Sequence, residues 1–464
     1  MQLSRQNSLR FSPPAVLGAA LFVAALGALV LLVLSSRNGQ RTLATSPNTS
    51  ATRPVEILVS CDTSGWIVPC GCTSNQSGGL LKRGSFVRQQ RAKHDVVLLD
   101  AGGAPSGTSP YDVAKFEAIL DGELLMGLAA HNLGAPELLL GASRIRELTT
   151  QKKVPFISAN TLDNDGRPIA DPYRLISAGG LRLAVIGVVA PRFATAECRI
   201  TEPQAGILAA RQALSGKFDA LIVLAYLPDD ELRQLASALP EADLIIGGPT
   251  GQSIAPVHVG PVLLAAATNK GKFLVSLRPS EVRPRPKWRG NVVEMTAPLG
   301  DDEDQQKNLA LFRATLDDRD FTAEESGLRG DVAVAVPSDV LVSGNAACRD
   351  CHATEFASWQ ASAHAQAWQA IAKQRAHVDS YCQQCHTTGY GWPGGFVSLR
   401  RSQAAVNVGC ESCHGPAHAH AKDPAQRTPL AARESCLVCH DRDNSPEFEF
   451  AKYWPAIIHG IRKE

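Results

Sequence analysis

Between residues 348 and 440 the chain reads Cys348-Arg-Asp-Cys351-His352, Cys382-Gln-Gln-Cys385-His386, Cys410-Glu-Ser-Cys413-His414 and Cys436-Leu-Val-Cys439-His440. All four segments share the pattern CxxCH, which is the attachment signature of a c-type haem. The spacing has a chemical reason, because two thiols about one helical turn apart reach both vinyl groups of one porphyrin and the next histidine reaches the iron. The pattern therefore predicts four covalently bound haem c groups.

Chance and simpler cysteine chemistry explain this repeat poorly. With 12 Cys and 12 His in 464 residues, a shuffled chain is expected to contain about 0.008 such pentapeptides. Redox CxxC pairs and zinc knuckles are the alternatives, but neither requires a histidine directly after the second cysteine. The predicted attachment residues are Cys348, Cys351, Cys382, Cys385, Cys410, Cys413, Cys436 and Cys439, and the predicted proximal iron ligands are His352, His386, His414 and His440.

An apolar segment without a charged residue, AVLGAALFVAALGALVLLVL, occupies residues 15–34. Twenty such residues span the hydrocarbon layer of a bilayer as a helix. A cleavable export signal is the alternative, but no convincing small-x-small site follows, which favours an uncleaved anchor. Because covalent haem is attached outside the cytoplasm, we expect a single-pass protein of the cell inner membrane with the bulk of the chain in the periplasm.

The chain as a whole has an ordinary globular composition, with 44% hydrophobic and 20% charged residues. Its net charge is +1 and it has no long basic run, so nothing points to nucleic acid. We divide it into a cytoplasmic stub and anchor (1–34), a linker (35–54), an α/β domain (55–280), a connection with one helix (281–345) and a tetrahaem domain (346–464).

Buried strands that alternate with helices predict the α/β domain. Val55 to Ser60 is one of several short apolar runs, and Lys115 to Leu133 is one of the helical patterns between them. A further apolar run at Glu137 to Leu140 is interpreted as a strand. Asp301 to Asp318 has an acidic first turn and is interpreted as the helix of the connection.

The haem domain is rich in histidine and lacks methionine. Beyond the four CxxCH histidines it holds five more, His364, His377, His418, His420 and His459, whereas all three methionines lie elsewhere. Axial methionine is therefore excluded, and bis-histidine ligation with low potentials follows as a hypothesis. Because the domain is too small for a conventional apolar core, we expect a mostly helical and irregular chain packed around four haems.

The haem domain resembles the tetrahaem cytochromes c that accept electrons in ammonia-oxidising bacteria. The likeness covers the whole of 346–464 and includes the Trp-x-x-Ser-x-His setting of His364, the segment Cys410-Glu-Ser-Cys413-His414-Gly-Pro, and His459-Gly. The resemblance implies that His364, His420 and His459 are distal iron ligands. Unless His377 or His418 supplies the eighth ligand, it also implies that the haem of His386 is five-coordinate.

The preceding domain resembles the calcineurin-like metallophosphoesterases of the 5'-nucleotidase type over about 55–280. Phe156-Ile-Ser158-Ala159-Asn160 and Leu244-Ile-Ile-Gly247-Gly248 are among the pieces that carry the likeness. It implies a four-layer α/β sandwich with a two-metal site at the strand ends. Asp62 is the one ligand we can place, because Gly102-Gly103, Tyr226 and Pro249 stand where the family has ligands. The resemblance thus implies a pseudoenzyme.

A cysteine cluster replaces the lost ligands. Cys61 precedes Pro69-Cys70-Gly-Cys72 in the same loop, and this segment resembles a cysteine- or selenocysteine-containing branch of the superfamily. A redox-active thiol pair, a thiolate metal site and disulfides among Cys61, Cys70, Cys72 and Cys198 all remain open, with disulfide or redox chemistry favoured over metal.

Three functions are compatible with these patterns. The favoured one is a membrane-anchored electron-transfer protein, rather than an enzyme, in which the haem domain carries electrons between redox protein partners and a catalytically dead phosphoesterase-like domain serves for docking. The alternatives are a haem enzyme acting on a small nitrogen or sulfur substrate at an open haem, and an active metallophosphoesterase with an electron-transfer appendage.

Overall fold

A computed structural model of the chain describes residues 53–69, 77–282, 285–328, 341–428 and 432–459. The chain divides into two units, residues 1–51 and 52–464, and the first lies outside the described residues. The second unit contains both the α/β domain and the haem domain.

The predicted single-pass inner-membrane location is corrected by one finding. Among the helices of the described ranges, none is both long enough and apolar enough to cross a bilayer. The longest of them, Glu303–Arg319, has 17 residues and many charges, whereas a spanning helix needs about 20 predominantly apolar residues. The segment on which the prediction rested, residues 15–34, lies outside the described residues.

Strands and helices alternate through the first two thirds of the chain, and short helices follow. The strands are β1 (Val55–Ser60), β2 (Asp95–Asp100), β3 (Leu128–Asn132), β4 (Phe156–Ile157), β5 (Thr161–Asp163), β6 (Tyr173–Ala178), β7 (Leu181–Val189), β8 (Cys198–Ile200), β9 (Ala220–Tyr226), β10 (Leu244–Gly248), β11 (Ile254–Val259), β12 (Val262–Ala266), β13 (Phe273–Glu281) and β14 (Lys287–Glu294). The helices are α1 (Gly79–Arg91), α2 (Pro110–Leu125), α3 (Ala135–Leu138), α4 (Ala142–Gln151), α5 (Pro203–Ala213), α6 (Asp229–Ala238), α7 (Glu303–Arg319), α8 (Ala323–Ser326), α9 (Ala353–Gln360), α10 (Ala367–Ala372), α11 (Ser380–His386), α12 (Cys410–His414), α13 (His418–Lys422), α14 (Ala432–Leu437) and α15 (Phe450–Tyr453).

Two six-stranded sheets form the α/β domain. The first has the order β14-β13-β1-β2-β3-β4 and the second the order β11-β12-β10-β9-β7-β6, while β5 and β8 form a separate two-stranded ribbon. Strands β1 to β4 are parallel, as are β7, β9, β10 and β12. Because parallel strands need crossover connections, the helices between them cover the sheet faces.

The second sheet is buried on both faces. Along β7, Leu183 and Val185 belong to the core between the two sheets, whereas Ala184 and Ile186 belong to a core shared with α5 and α6. Alternate side chains of a strand point to opposite faces, and each fully buried Val, Leu or Ile contributes about 1.5–3 kcal/mol. Helices α1, α2 and α7 pack together on the other side of the first sheet. The predicted four-layer α/β sandwich is confirmed.

Two predicted elements have other bounds or types. The helical pattern Lys115 to Leu133 is split, because α2 ends at Leu125 and Gly127 adopts φ +71°, so that the chain re-enters the sheet as β3. The apolar run Glu137 to Leu140, interpreted as a strand, contributes instead to α3, which has a proline in its first turn. Four-residue apolar runs fit a buried strand and a short helix equally well.

The sheet continues beyond residue 280. Strand β14 pairs antiparallel with β13, in the region interpreted as a connection. The helix predicted at Asp301 to Asp318 is α7, which begins one residue after its cap Asp302, whose carboxylate accepts the N–H groups of Asp304 and Gln305.

The C-terminal domain is helical and has little apolar core of its own, as predicted. Helices α9 to α15 have four to eight residues each. Ala323, at the end of the connection, packs in a small apolar cluster with Tyr390 and Phe396 of the C-terminal domain. Most other side chains of this domain lie around a cavity or face solvent.

Candidate haem centres and strand-end site

Short helices position most of the CxxCH motifs. Helix α11 ends on Cys382-Gln-Gln-Cys385-His386, α12 coincides with Cys410 to His414, and α14 carries Cys436. One helical turn places the two cysteines of a motif on the same face. Asp379 caps α11 by accepting the Tyr381 N–H at 2.9 Å.

A buried carboxylate anchors the motif of α12. Glu411 accepts the N–H groups of Ser343 at 2.9 Å, Gly344 at 2.7 Å and Ala417 at 2.7 Å. These bonds tie the start of the haem domain and the segment after the third motif to one helix. A fully buried carboxylate needs such donors, so Glu411 fixes the backbone around two neighbouring motifs.

Each predicted distal histidine faces one CxxCH histidine. The ring centres are 6.0 Å apart for His352 and His420, and 5.9 Å apart for His414 and His459. For His440 and His364 the separation is 6.3 Å. Two imidazoles on opposite sides of one iron have ring centres on the order of 6 Å apart, because each metal–nitrogen bond is about 2 Å long. The spacing of all three pairs fits an iron between the rings.

Hydrogen bonds orient several of these rings. The Nδ1 atom of His420 lies 2.7 Å from the Gln426 carbonyl, and that of His386 lies 2.6 Å from the Ala367 carbonyl. The Nδ1 atom of His440 contacts the Ser445 hydroxyl at 3.0 Å. An Nδ1–H donated to oxygen fixes the tautomer in which Nε2 is free to bind metal. Donor type and spacing therefore fit c-type haem at these motifs.

The fourth motif histidine, His386, differs from the other three. Within the described ranges no second imidazole faces it. The two remaining spare histidines are engaged elsewhere: His418 contacts the Ser343 hydroxyl at 3.1 Å, and His377 lies edge-on to Trp368 with ring centres 5.8 Å apart. The three predicted distal ligands thus pair with three motifs, and His377 and His418 pair with none.

Thiols of different motifs are neighbours. The Cys348 thiol lies close to that of Cys410, and the Cys385 thiol lies close to that of Cys439. Cys413 lies near enough to Cys436 for their charges to interact. All eight cysteines are free of disulfides. These contacts place the motifs in the spatial order first, third, fourth, second.

A cavity of about 1310 Å³ holds the second and fourth motifs, because Cys382, His386, Cys439 and His440 line it. The α/β domain forms part of its wall through residues 65–69 and side chains of α2 and α7. Residues 65–69, which line the cavity, follow Cys61 and the end of β1 within a few positions.

Specific contacts hold the two domains together at this cavity. The Tyr111 hydroxyl donates to the Asp379 carboxylate at 2.5 Å. The Trp66 ring packs edge-on against Tyr381, with ring centres 5.2 Å apart. Because Asp379 caps α11, the α/β domain contacts the helix that carries the second motif.

The strand ends of the α/β domain present Asp62 to a crowded site. Its carboxylate accepts the Tyr226 hydroxyl at 3.0 Å and also the Thr268 hydroxyl. Burial raises the pKa of Asp62, although both hydroxyl bonds lower it. A Cβ added at Gly103 would lie 2.3 Å from the Asp62 carboxylate. The space beside Asp62 is therefore filled by protein atoms.

The predicted cysteine cluster is described only in part. Cys61 and Cys198 are buried free thiols, and burial raises the pKa of Cys61 well above its ordinary value. Cys70 and Cys72 lie outside the described residues.

A buried ionic network lies behind this site, and no motif of the sequence indicates it. The His131 ring contacts Glu123 at 3.2 Å and Glu137 at 3.1 Å, and Arg83 contacts Glu123 at 3.2 Å. Burial alone would lower the pKa of His131, but the carboxylates raise it well above its ordinary value. Asp100 completes a group of three potential metal ligands with Glu123 and His131.

Further protein atoms bond the Asp100 carboxylate of this network. Asp100 accepts the Gly102 N–H at 2.7 Å and the Ser60 hydroxyl at 2.5 Å. Since both ring nitrogens of His131 face carboxylates, the protonated ring would donate to Glu123 and Glu137 at once. An alternating strand pattern gives no sign of such a network, because its members lie on α1, β2, α2, β3 and α3.

Comparison with known proteins divides the chain at the same place. Residues 347–415 match the family model described as cytochrome c554 and c-prime. Over 97 residues the chain is 33% identical to cytochrome c-554 of Nitrosomonas europaea, a match that covers 18% of this chain and 41% of that protein. The predicted resemblance of the haem domain to this family is confirmed.

The α/β domain has the fold of two solved proteins of Thermus thermophilus. The sulfate thiohydrolase SoxB superposes with a TM-score of 0.51 and 20% identity, covering 58% of this chain and 62% of that one. A 5'-nucleotidase precursor superposes with a TM-score of 0.50 and 20% identity, covering 56% and 59%. The chain thus spans less than two thirds of each relative, and the likeness concerns the fold alone. It confirms the predicted phosphoesterase-type fold.

Proposed function

We propose that this chain is a multihaem c-type cytochrome that carries electrons between redox protein partners through four covalently bound haems. The observation that carries the proposal is the set of three imidazole pairs, each joining a CxxCH histidine to a distant histidine at 5.9–6.3 Å between ring centres. Bound haem supplies a one-electron iron couple. The matched relative is itself a cytochrome, which supports the same proposed function.

The protein side chains set the character of these centres. Two imidazoles per iron, with no methionine between residues 346 and 464, favour low reduction potentials. Cys348 lies beside Cys410, and Cys385 lies beside Cys439, so the attachment points of neighbouring motifs are close together. Close spacing of attachment points suits electron transfer along one path through the domain.

Haem content tests this proposal directly. The full chain, produced with a c-type haem maturation system, is expected to carry four haems, measured as pyridine haemochrome per polypeptide after denaturing electrophoresis with haem staining. Reduction by dithionite should sharpen a Soret band typical of six-coordinate iron. Two or fewer haems per chain, or haem removable by acid extraction, would contradict the proposal.

The α/β domain, in this proposal, does not hydrolyse phosphoesters. A two-metal site requires several carboxylates and imidazoles, and Asp62 is instead bonded to Tyr226 and Thr268. Gly103 leaves room for no ligand beside it. The full protein incubated with Mn²⁺ and bis(p-nitrophenyl) phosphate, or with a nucleotide, is expected to release no product. Metal-dependent turnover abolished by Asp62→Asn would contradict this part of the proposal.

A second candidate function is a haem enzyme for a small nitrogen or sulfur substrate, and one observation favours it. His386 faces no imidazole in the described ranges, so its iron would have an open position. The oxidised protein is then expected to show a high-spin electron paramagnetic resonance signal from about one quarter of the iron. Purely low-spin iron at all four haems would exclude an open site. Turnover of hydroxylamine, nitrite or sulfite would distinguish the enzyme from a pure carrier.

A further inference from the structure

The cavity that holds the second and fourth motifs has an excess of positive charge. Four cations line it, Lys82, Lys115, Arg313 and Lys373, together with a single carboxylate, Asp379. Asp379 is already occupied by the Tyr111 hydroxyl and the Tyr381 N–H. Three of the four cations belong to the α/β domain and its connection rather than to the haem domain.

Lys115 and Arg313 differ from the other two cations in their burial and pairing. Lys82 is paired with Asp301 at 2.6 Å, and Lys373 is exposed. Lys115 and Arg313 are half-buried, and in the part of the chain that the structure describes neither forms an ion pair with a carboxylate. They lie on α2 and α7, two of the helices that line the cavity on this side.

Aromatic rings hold Lys115 at the cavity. Its Nζ lies 5.0 Å from the Tyr111 ring centre and 5.3 Å from the Tyr381 ring centre. Such cation–π contacts contribute about 0.5–2 kcal/mol each, and they orient the ammonium group without neutralising it. A half-buried cation that has lost water but gained no anion is poorly stabilised. The site is thus complete when an anionic oxygen lies beside it.

We propose that Lys115 and Arg313 bind anionic oxygen atoms inside the haem cavity, so that the α/β domain is part of the haem site. The proposal rests on the proposed function, because it takes the haems of Cys382 and Cys439 to occupy this cavity. Two sources offer the required chemistry. One is a propionate of a bound haem, and the other is a small free anion that reaches the open side of the iron held by His386.

The test compares haem-loaded Lys115→Met, Arg313→Met and the double variant with wild type. Lys307→Met is the matched control, because Lys307 lies on α7, is 72% exposed and pairs with Asp304 away from the cavity. Haem content is measured first. Each protein is then examined by resonance Raman spectroscopy of the propionate bending bands, by azide titration of the oxidised form and by carbon monoxide binding to the reduced form.

The two sources give different results. If the cations bind propionates, the Raman bands shift in Lys115→Met or Arg313→Met, return in Lys115→Arg, and azide affinity stays unchanged. If they bind a free anion, azide affinity falls about fivefold or more, the effect of removing an opposite charge about 4 Å away in a water-like medium, while binding of neutral carbon monoxide stays unchanged. Either result supports the proposal.

Other results overturn it. Raman bands and azide affinity that both match Lys307→Met would show that the cations bind no anion. Loss of haem from Lys115→Met but not from Lys115→Arg would support a required cation, whereas equal loss from both would count against it. Wild-type protein without haem would instead refute the proposed function on which the inference rests.

Discussion

The α/β domain and the haem domain solve the problem of burial in opposite ways. Every residue of β1, β9 and β10 is buried, and most of these residues are apolar. In the haem domain α9, α13 and α15 contain no buried residue at all. One domain has its core in the polypeptide, and the other surrounds a cavity with cysteines and histidines.

The folding free energy of the two domains therefore has different sources. Helices of four to eight residues are unstable alone, because helix nucleation is costly and short segments do not repay it. The haem domain therefore depends on covalent and coordinate bonds to its cofactors, as small metal-binding domains depend on their metals. The α/β domain needs neither, and through Tyr111 and Trp66 it gives the second haem motif a rigid neighbour.

The largest difference between the two domains is expected when haem is withheld. Replacing all eight CxxCH cysteines by alanine should abolish protection from hydrogen exchange over 341–459, because the helices there lose their core, while β1, β7 and β9 keep theirs. Hydrogen-exchange mass spectrometry of this variant and of haem-loaded wild type measures the effect. Strong protection of 380–414 in the variant would show that the polypeptide folds unaided.

The next largest effect concerns the buried network of the α/β domain. His131→Gln removes the cation between Glu123 and Glu137 and should lower the free energy of unfolding of this domain by about 3–5 kcal/mol, the usual loss when one partner of a buried ion pair is removed. Urea unfolding followed by tryptophan fluorescence gives the value, and haem content should not change. His258→Gln, on an exposed position of β11, is the control and should differ from wild type by less than about 0.5 kcal/mol. A loss below about 1 kcal/mol for His131→Gln would mean that the network is dispensable.

The pH dependence of stability tests the same buried network, and its effect should be smaller. The pKa of His131 is raised well above its ordinary value of 6.5, so the folded state holds a proton that the unfolded state releases. The stabilisation is complete below about pH 6.5 and is lost as pH rises through the folded pKa, with a slope of at most about 1.4 kcal/mol per pH unit.

Asp100 acts in the same direction at lower pH. Burial raises its pKa to about 7 from 3.8, so stability also falls as pH rises between these values. Urea unfolding of the α/β domain between pH 5 and 9 should therefore show decreasing stability, and His131→Gln should flatten the curve above pH 6.5. Parallel curves for the two proteins would assign the pH dependence to other groups.

The smallest effect on stability is expected from the distal ligands. His420→Ala should leave the free energy of unfolding of the α/β domain within about 0.5 kcal/mol of wild type, because His420 lies in the haem domain against His352. It should nevertheless convert one more haem to high spin, raising the high-spin share from about one quarter to about one half of the iron. Electron paramagnetic resonance of His418→Ala, whose ring contacts Ser343 instead of a motif histidine, is the control. An unchanged signal in His420→Ala would remove His420 from the ligand set.

Local signals explain which elements could be predicted. The runs at β1 and β9 are mostly apolar, contain the β-branched residues Val and Ile, and are bounded by polar residues. Their positions therefore follow from the sequence. The limits of α2 and the nature of α3 do not, because Gly127 and Pro136 interrupt apolar patterns that fit more than one structure. The histidines of the haem domain stood out by number and motif, whereas His131 was missed because its partners come from other elements.

The sequence alone was enough to establish the number of CxxCH motifs, the lack of methionine among them and the alternation of strands and helices. These are local properties, since a thiol pair one turn apart or an apolar run has its meaning within a few residues. Tertiary structure alone decided which distant histidine faces which motif, that His386 faces none in the described ranges, and that Lys115 and Arg313 border the haem cavity. Such pairings join residues tens to hundreds of positions apart, and their geometry exists only after two sheets, their helices and the haem-domain helices have packed together.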